Sequence, residues 1–248
     1  MAFTQRTRVA MPGISPAVLT IIVACTAIFI LQNTPLGPVL LGNLALSVGS
    51  LITGRVWSLL TFGLLHANFS HLFFNMLVLY FLGPRLEGRM GTRAFIAFYA
   101  LSGLIAGIVF CVWVLLAGTP QIWVLLAGTP QIWVLGASGS IYGVYAMWAL
   151  LWPDEYLLVW GLVPIKVKWL MLILVVASVY MLWLGEGNVA HQAHLGGILG
   201  GVLWWTFTER RSRRRPPLPP RSGRRMRMRL VPKSGDNRFE ELMRDITD

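Results

Sequence analysis

Six stretches of the chain, at about 16–33, 64–82, 94–116, 137–152, 168–185 and 190–208, carry almost no charge and are cut apart by Pro, Gly and charged residues. Most approach the ~20 residues that an α-helix needs to cross a bilayer. Hydrocarbon offers no water to backbone N–H and C=O groups, so such a run satisfies them internally as a helix. Composition agrees: charged residues make up 12% of the chain, half the about 25% of a soluble domain, and mean hydropathy is +0.65. The expected fold is all-α, a polytopic membrane protein built as a six-transmembrane-helix bundle. The fourth span is short. A further apolar run at 156–164 is read as a loop, because joining it to the fifth span would bury Lys166 and Lys168 mid-bilayer at about 2.5–3.5 kcal/mol each.

The basic residues set the orientation. Arg6 and Arg8, then Arg85, Arg89 and Arg93, then Lys166 and Lys168, and finally the C-terminal tail fall on one side of these spans, whereas Arg55 falls on the other. The positive-inside rule makes the basic side cytoplasmic, with both termini inside. Residues 1–15 are then a cytoplasmic segment, 16–209 the membrane domain and 210–248 a basic tail. The first apolar run follows Arg6 and Arg8 without a small-residue cleavage site and reads as a retained span.

Net charge is +11, yet thirteen of the 21 basic residues lie after Glu209 in a Pro/Arg-rich, aromatic-poor stretch. Such a segment cannot bury a core; it suits anionic headgroups at a membrane surface rather than nucleic acid. Phe239, Leu242, Met243 and Ile246 fall at helical spacing, so 237–246 is a candidate short amphipathic helix. Cys25 and Cys111 sit inside apolar runs and read as packing residues, which excludes a disulfide scaffold. The decapeptide WVLLAGTPQI occurs twice in succession, from Trp113 and from Trp123. Each copy carries Gly-Thr-Pro, so the duplication is read as lengthening the outer loop between spans three and four.

All four histidines lie at the outer ends of spans two and six, His66 and His71 on one and His191 and His194 on the other. Ser138 opens span four, which runs the same way. At ~1.5 Å per residue, Ser138, His194, His71 and Asn75 share a depth within the first turns below the outer surface. Polar groups there cost free energy unless they meet one another or water, which points to a cavity open to the outside. A serine hydroxyl needs a base to take its proton, and His194 is the best-placed neutral base. Only Glu186, in the loop before span six, is an acid on the outer side, so a Ser–His dyad is expected rather than a triad. His71 and Asn75, four apart on one helix face, can aim at one oxygen together with the Ser138 backbone N–H. Gly197 and Gly201, like Gly196 and Gly200, form GxxxG patterns that permit close approach to span four through Gly139 and Gly143. Tyr142, one turn below Ser138, can stack on the imidazole.

These residues resemble the rhomboid family of intramembrane serine proteases. The resemblance covers about 50–208 and rests on Gly136-Ala137-Ser138-Gly139 followed by Tyr142, on His66, His71 and Asn75 in span two, on Ala193-His194 followed by Gly197 and Gly201, and on GPRLEGRMGTRAFIAFYALSG from Gly83. It implies Ser138 as nucleophile, His194 as base, His71, Asn75 and the Ser138 amide as oxyanion donors, and Gly136, Gly139, Tyr142, Gly197 and Gly201 as supporting residues. It implies further that span five and the loop around Glu186 gate lateral access of a substrate's transmembrane helix. Family members often carry Trp-Arg in the first outer loop; Trp57-Ser58 stands here, so any structural role of that Arg is either missing or taken by Arg55. His66 resembles a position that bonds loop backbone, and His191 reads as interfacial.

Transmembrane proteins are accordingly the expected substrates, with no cofactor and no metal, in a bacterial-type plasma membrane. A non-proteolytic scaffold that binds membrane clients is the alternative, and an intact dyad counts against it. A channel or transporter would need polar groups along a continuous path instead of at one face. A zinc site from His191, His194 and His71 would show as dependence on metal.

Overall fold

A computed structural model describes residues 13–116, 133–159, 162–184 and 191–214, with side chains as far as Thr208. The chain divides into two units, Met1–Arg210 and Arg211–Asp248; apart from the last turn of the final helix, the described residues belong to the first. The N-terminal dozen residues, most of the duplicated segment, the loop holding Glu186 and the tail with its candidate helix at 237–246 lie outside the described residues.

The chain is mainly helical. Helix α1 is Pro16–Gln32. The connection after it folds into three short helices, α2 (Gly37–Leu44), α3 (Val48–Ile52) and α4 (Ser58–Thr61), and a 3-10 turn over Phe62–Leu64. Then come α5 (Phe69–Met90), α6 (Thr92–Leu116), α7 (Ser138–Leu151), a β-hairpin, α8 (Val167–Leu184) and α9 (His191–Arg214). By length and hydropathy, α6 and α8 each suffice to cross a membrane, and the segment Ser58–Leu64 with α5, bent by 96°, makes a third candidate span. The protein is an integral membrane protein. Each of the six stretches read from the sequence overlaps one of these helices, but among the described residues α6 and α8 alone pass as spans by themselves, and α1, at 17 residues, and α7, at 14, are short. At 1.5 Å per residue α7 reaches about 21 Å, against about 30 Å of hydrocarbon.

Span two also starts later than its apolar run. Leu65 is extended, and the Asn68 side chain caps α5 by accepting from the His71 N–H at 2.8 Å. Asn is a preferred N-cap because its carbonyl satisfies one of the orphan amides of the first turn. Helix α5 then continues through Pro84 to Met90 and ends at Gly91, whose φ of +85° breaks the helix before α6.

Helix α1 has no acid in its first turn, and α5 supplies one. The buried Glu87 carboxylate accepts the backbone N–H groups of Ala17 and Val18 at 3.1 and 3.2 Å, the Ser15 hydroxyl, and the Thr92 hydroxyl at 2.7 Å. A negative charge at a helix N-terminus meets the orphan amides and the positive end of the dipole at once. Replacing Glu87 with Ala strands these donors, and a loss of about 2–3 kcal/mol is expected, read as a lower unfolding midpoint in detergent.

The core lies where α1, α5, α6 and α7 meet, around Leu79, Leu86, Phe95, Phe98, Val144 and Met147. A second cluster, with Leu46, Phe62, Ala106 and Phe110, seats the α2–α4 connection on α6. Leu46 and Val134 exchange backbone hydrogen bonds of 3.1 and 2.8 Å, which ties this connection to the segment entering α7.

The run at 156–164, expected to be a loop, belongs to an antiparallel hairpin of β1 (Tyr156–Val159) and β2 (Val163–Lys166). Aromatic and β-branched residues fit a pleated ribbon, and pairing Tyr156 with Lys166 satisfies the backbone without sending either lysine across hydrocarbon. The foot of α8 is fastened here. The Val167 and Lys168 N–H groups bond the Glu155 and Pro153 carbonyls at 2.9 and 3.2 Å, and Asp154 accepts from Lys168 at 2.7 Å and Lys166 at 3.2 Å. The two ammonium groups, Lys168 first, hold the exposed Asp154 carboxyl below its usual range. Its contribution is therefore present at neutral pH and lost only as pH falls through that lowered value. Arg85 lies 3.9 Å above the Trp152 ring and pairs with Glu155.

Candidate active site

Ser138 is the first residue of α7. The backbone reaches it through Gly136, whose φ is +127°, a region L side chains rarely adopt. The Gly136 N–H is held by the Phe62 carbonyl at 2.9 Å. A Cβ at Gly136 would lie 2.5 Å from His71 Cε1 and 2.8 Å from Nε2, so only glycine lets the imidazole rest against this strand. With no side-chain cap on α7, the N–H groups of its first turn, Ser138 included, have no partner within the helix.

His194 sits near the start of α9 and is buried. Its Nε2 lies 2.9 Å from Ser138 Oγ. Close helix contact makes this possible. A Cβ on Gly197 would collide with the Gly139 carbonyl, and one on Gly201 would come within 2.6 Å of the Gly143 carbonyl, so the two glycine rows bring α7 and α9 backbone to backbone. On its other side, Gly139 faces the Ala106 methyl of α6. The Tyr142 ring lies flat on the His194 imidazole, with centroids 4.1 Å apart and planes within 8°.

His71 and Asn75 occupy successive turns of α5. The Ala67 N–H points at His71 Nδ1 at a long 3.5 Å, which favours the tautomer with its proton on Nε2, toward Gly136. Asn75 is buried, and its Nδ2 has no partner among the described residues; the same holds for His194 Nδ1, His191 Nδ1 and Gln192 Oε1. Such a density of unpaired polar atoms is costly in a purely structural site. His66 Nε2 accepts the Ala137 N–H at 3.5 Å, and its ring meets His71 edge-on at 5.2 Å. The His191 ring packs edge-on against His194 at 5.8 Å. No group of three His, Cys, Asp or Glu side chains among the described residues could hold a metal ion. Arg55 bonds the Gly42 carbonyl and, at 3.1 Å, Thr53 Oγ1, while Trp57 Nε1 donates to the Asn43 carbonyl at 2.9 Å.

The model of the rhomboid domain matches residues 53–211 of this chain. The chain belongs to the rhomboid family. This rhomboid is 24% identical over 192 residues to RHOMBOID-like protein 12, mitochondrial, of Arabidopsis thaliana, covering 76% of this chain and 57% of that one. It is 31% identical over 152 residues to the rhomboid-family protein YdcA of Bacillus subtilis (strain 168), covering 60% and 66%. With the rhomboid protease GlpG of Enterobacter sp. (strain 638) it shares 31% over 94 residues, covering 38% and 34%. The matched region thus spans between a third and two thirds of the length of these relatives.

Two positions of this rhomboid's site carried no sequence signal of their own. Gln32, the last residue of α1, bonds both backbone groups of His66, donating to its carbonyl at 3.3 Å and accepting its N–H at 3.1 Å. Phe62 holds Gly136 through its carbonyl, a contact that does not depend on side-chain type.

Proposed function

We propose that this rhomboid is an intramembrane serine protease that cuts transmembrane segments of other membrane proteins near the outer face. The observation that carries the reading is the 2.9 Å contact between Ser138 Oγ and His194 Nε2, made by two helices that the glycine rows hold together. His194 Nε2 takes the Ser138 proton as Oγ attacks the peptide carbonyl, giving a tetrahedral intermediate with its charge on oxygen. His71 Nε2–H, Asn75 Nδ2–H and the Ser138 N–H are the donors for that oxygen. His194 returns its proton to the leaving amine, and water, activated by the same imidazole, releases the acyl group. A substrate helix must unwind first, because a helical peptide carbonyl is already bonded and shielded.

In this reading the six helices α1, α5, α6, α7, α8 and α9 form the membrane domain over 16–209. Both termini face the cytoplasm of a bacterial plasma membrane, and the tail from 210 rests on anionic lipid.

The test is covalent. A fluorophosphonate probe should modify purified wild-type protein at Ser138, located by mass spectrometry, and leave Ser138→Ala unmodified; an unreactive wild type, or an adduct that persists in the variant, overturns the reading. Among the oxyanion donors, Asn75→Ala should lower kcat on a single-span substrate by about 10²-fold with KM little changed, since the donor acts on charge that exists only in the transition state.

A further inference from the structure

Tyr156, Leu158, Leu162, Val163 and Trp169 are exposed around the β-hairpin and the first turn of α8, and Leu162 keeps 81% of its surface open. Pairing Tyr156 with Lys166 and Leu158 with Pro164 turns these four side chains to one face, because opposed residues of an antiparallel ladder point the same way. The base of the ribbon is charged. Lys166 Nζ stands 5.7 Å over the Tyr156 ring and Lys168 Nζ 5.8 Å over that of Trp169. Arg85, Lys166 and Lys168 meet Asp154 and Glu155 there, three cations to two carboxylates. Toward the turn, which the Leu162 N–H closes on the Val159 carbonyl at 3.2 Å, Leu158, Leu162 and Val163 are exposed instead. A turn facing water would favour polar residues at that end. The level of the hairpin follows from α8. Lys166 ends β2 and Val167 begins the helix, whose 18 residues reach about 27 Å against about 30 Å of hydrocarbon. The foot of so short a span cannot stand clear of the membrane, so the ribbon rooted in it starts at the hydrocarbon boundary. The exposed apolar row of α8, Trp169, Leu172, Ile173 and Val176, runs down to it, and the two surfaces are continuous.

We propose that the hairpin is an interfacial lipid anchor: Leu158, Leu162 and Val163 lie in the boundary between headgroups and acyl chains of the leaflet at the foot of α8, with Tyr156 and Trp169 at headgroup level and Lys166 and Lys168 turned toward lipid phosphate. Four-residue strands, about 13 Å long, are far short of the about 9–11 residues that cross a bilayer. The ribbon therefore lies along the surface, within the about 5–10 Å that interfacial elements penetrate. Tyr and Trp settle at this level because the ring leaves water while its polar atom keeps a partner. The lysine stems cover apolar surface and hold their ammonium groups in the wet layer, where the positive excess at the base suits phosphate. Held so, the foot of α8 is fixed to the leaflet as well as to Asp154. The surface touches no reacting group and stands or falls apart from the protease reading.

The experiment measures depth. Cys25 and Cys111 are buried, so a thiol-reactive NBD fluorophore reports on one introduced cysteine, with the unsubstituted chain as blank. Leu162→Cys, at a side chain already exposed, is labelled in the purified full chain and reconstituted into vesicles of phosphatidylcholine and phosphatidylglycerol. Its emission should lie to the blue of the same labelled protein in denaturant. Lipid carrying a nitroxide near the glycerol end of its acyl chain should quench it more than lipid carrying one near the methyl end. Leu158→Cys should behave alike, whereas Leu172→Cys, five residues beyond Val167 on α8, should take a larger share of its quenching from the deep nitroxide. A Leu162 label that aqueous iodide reaches and neither nitroxide quenches puts the turn in water. One shielded from iodide and from both nitroxides puts it against protein, a second copy of this chain or another partner, and one quenched by the deep nitroxide more than Leu172 puts it inside the hydrocarbon. Each of these three results overturns the proposal. The measurement needs no enzymatic activity, so a failed fluorophosphonate test at Ser138 leaves its outcome unchanged.

Discussion

Replacing His194 with Ala should reduce cleavage of a single-span substrate by about 10³- to 10⁴-fold or more while leaving the helical content unchanged. Without an acceptor at 2.9 Å, the Ser138 hydroxyl keeps its proton and is a poor nucleophile. Ser138→Ala should lose as much, and the double variant no more, because the two groups act as one unit and their effects do not add. The measurement is single-turnover cleavage in proteoliposomes, wild type beside the three variants. If His194→Ala kept a tenth of wild-type activity, the base would have to be another group, and His191, whose ring is 5.8 Å from His194, would be the first to examine.

Gly197→Ala carries the second large effect. Its new methyl would be driven into the Gly139 carbonyl, a backbone atom that cannot rotate aside, so α7 and α9 must part. Overpacking of this kind costs about 1–3 kcal/mol of stability. The larger effect falls on activity, because Ser138 adjoins Gly139 and His194 lies one turn before Gly197. A displacement of about 1 Å between reacting groups is worth about 10²-fold in rate. Gly88→Ala in α5 is the control, since nothing lies within 4 Å of its Cβ position, and it should leave cleavage and unfolding midpoint near wild type. Equal activity in the Gly197 and Gly88 variants would mean that the glycine rows do not set the dyad.

The sequence made the long helices legible because absence of charge over a span-length run has one solution in a bilayer. It also made legible which residues could share one level, since helix rise converts sequence offset into distance; Ser138 Oγ and His194 Nε2 lie 2.9 Å apart. What stayed hidden is tertiary in origin. Helices α2, α3 and α4 are four to eight residues long, too short to be stable alone, and they exist because Leu46 and Phe62 pack on α6. The hairpin of Tyr156–Val159 and Val163–Lys166 is not legible in the sequence, because a short apolar run reads equally as loop or strand until its partner strand is known. Glu87 sits among charged neighbours at the end of α5, and nothing nearby in sequence shows that it reaches the start of α1.

The fastening of α8 at one end has a mechanical result. Asp154, its two lysines and the Val167 and Lys168 amides bind the foot of an 18-residue rod about 27 Å long. A tilt of about 10° about that foot carries the far tip sideways by roughly 5 Å, half a helix diameter, while the bonds at the pivot barely stretch. Held in this way, the rod turns a small angular displacement at its foot into a wide lateral one at its far end.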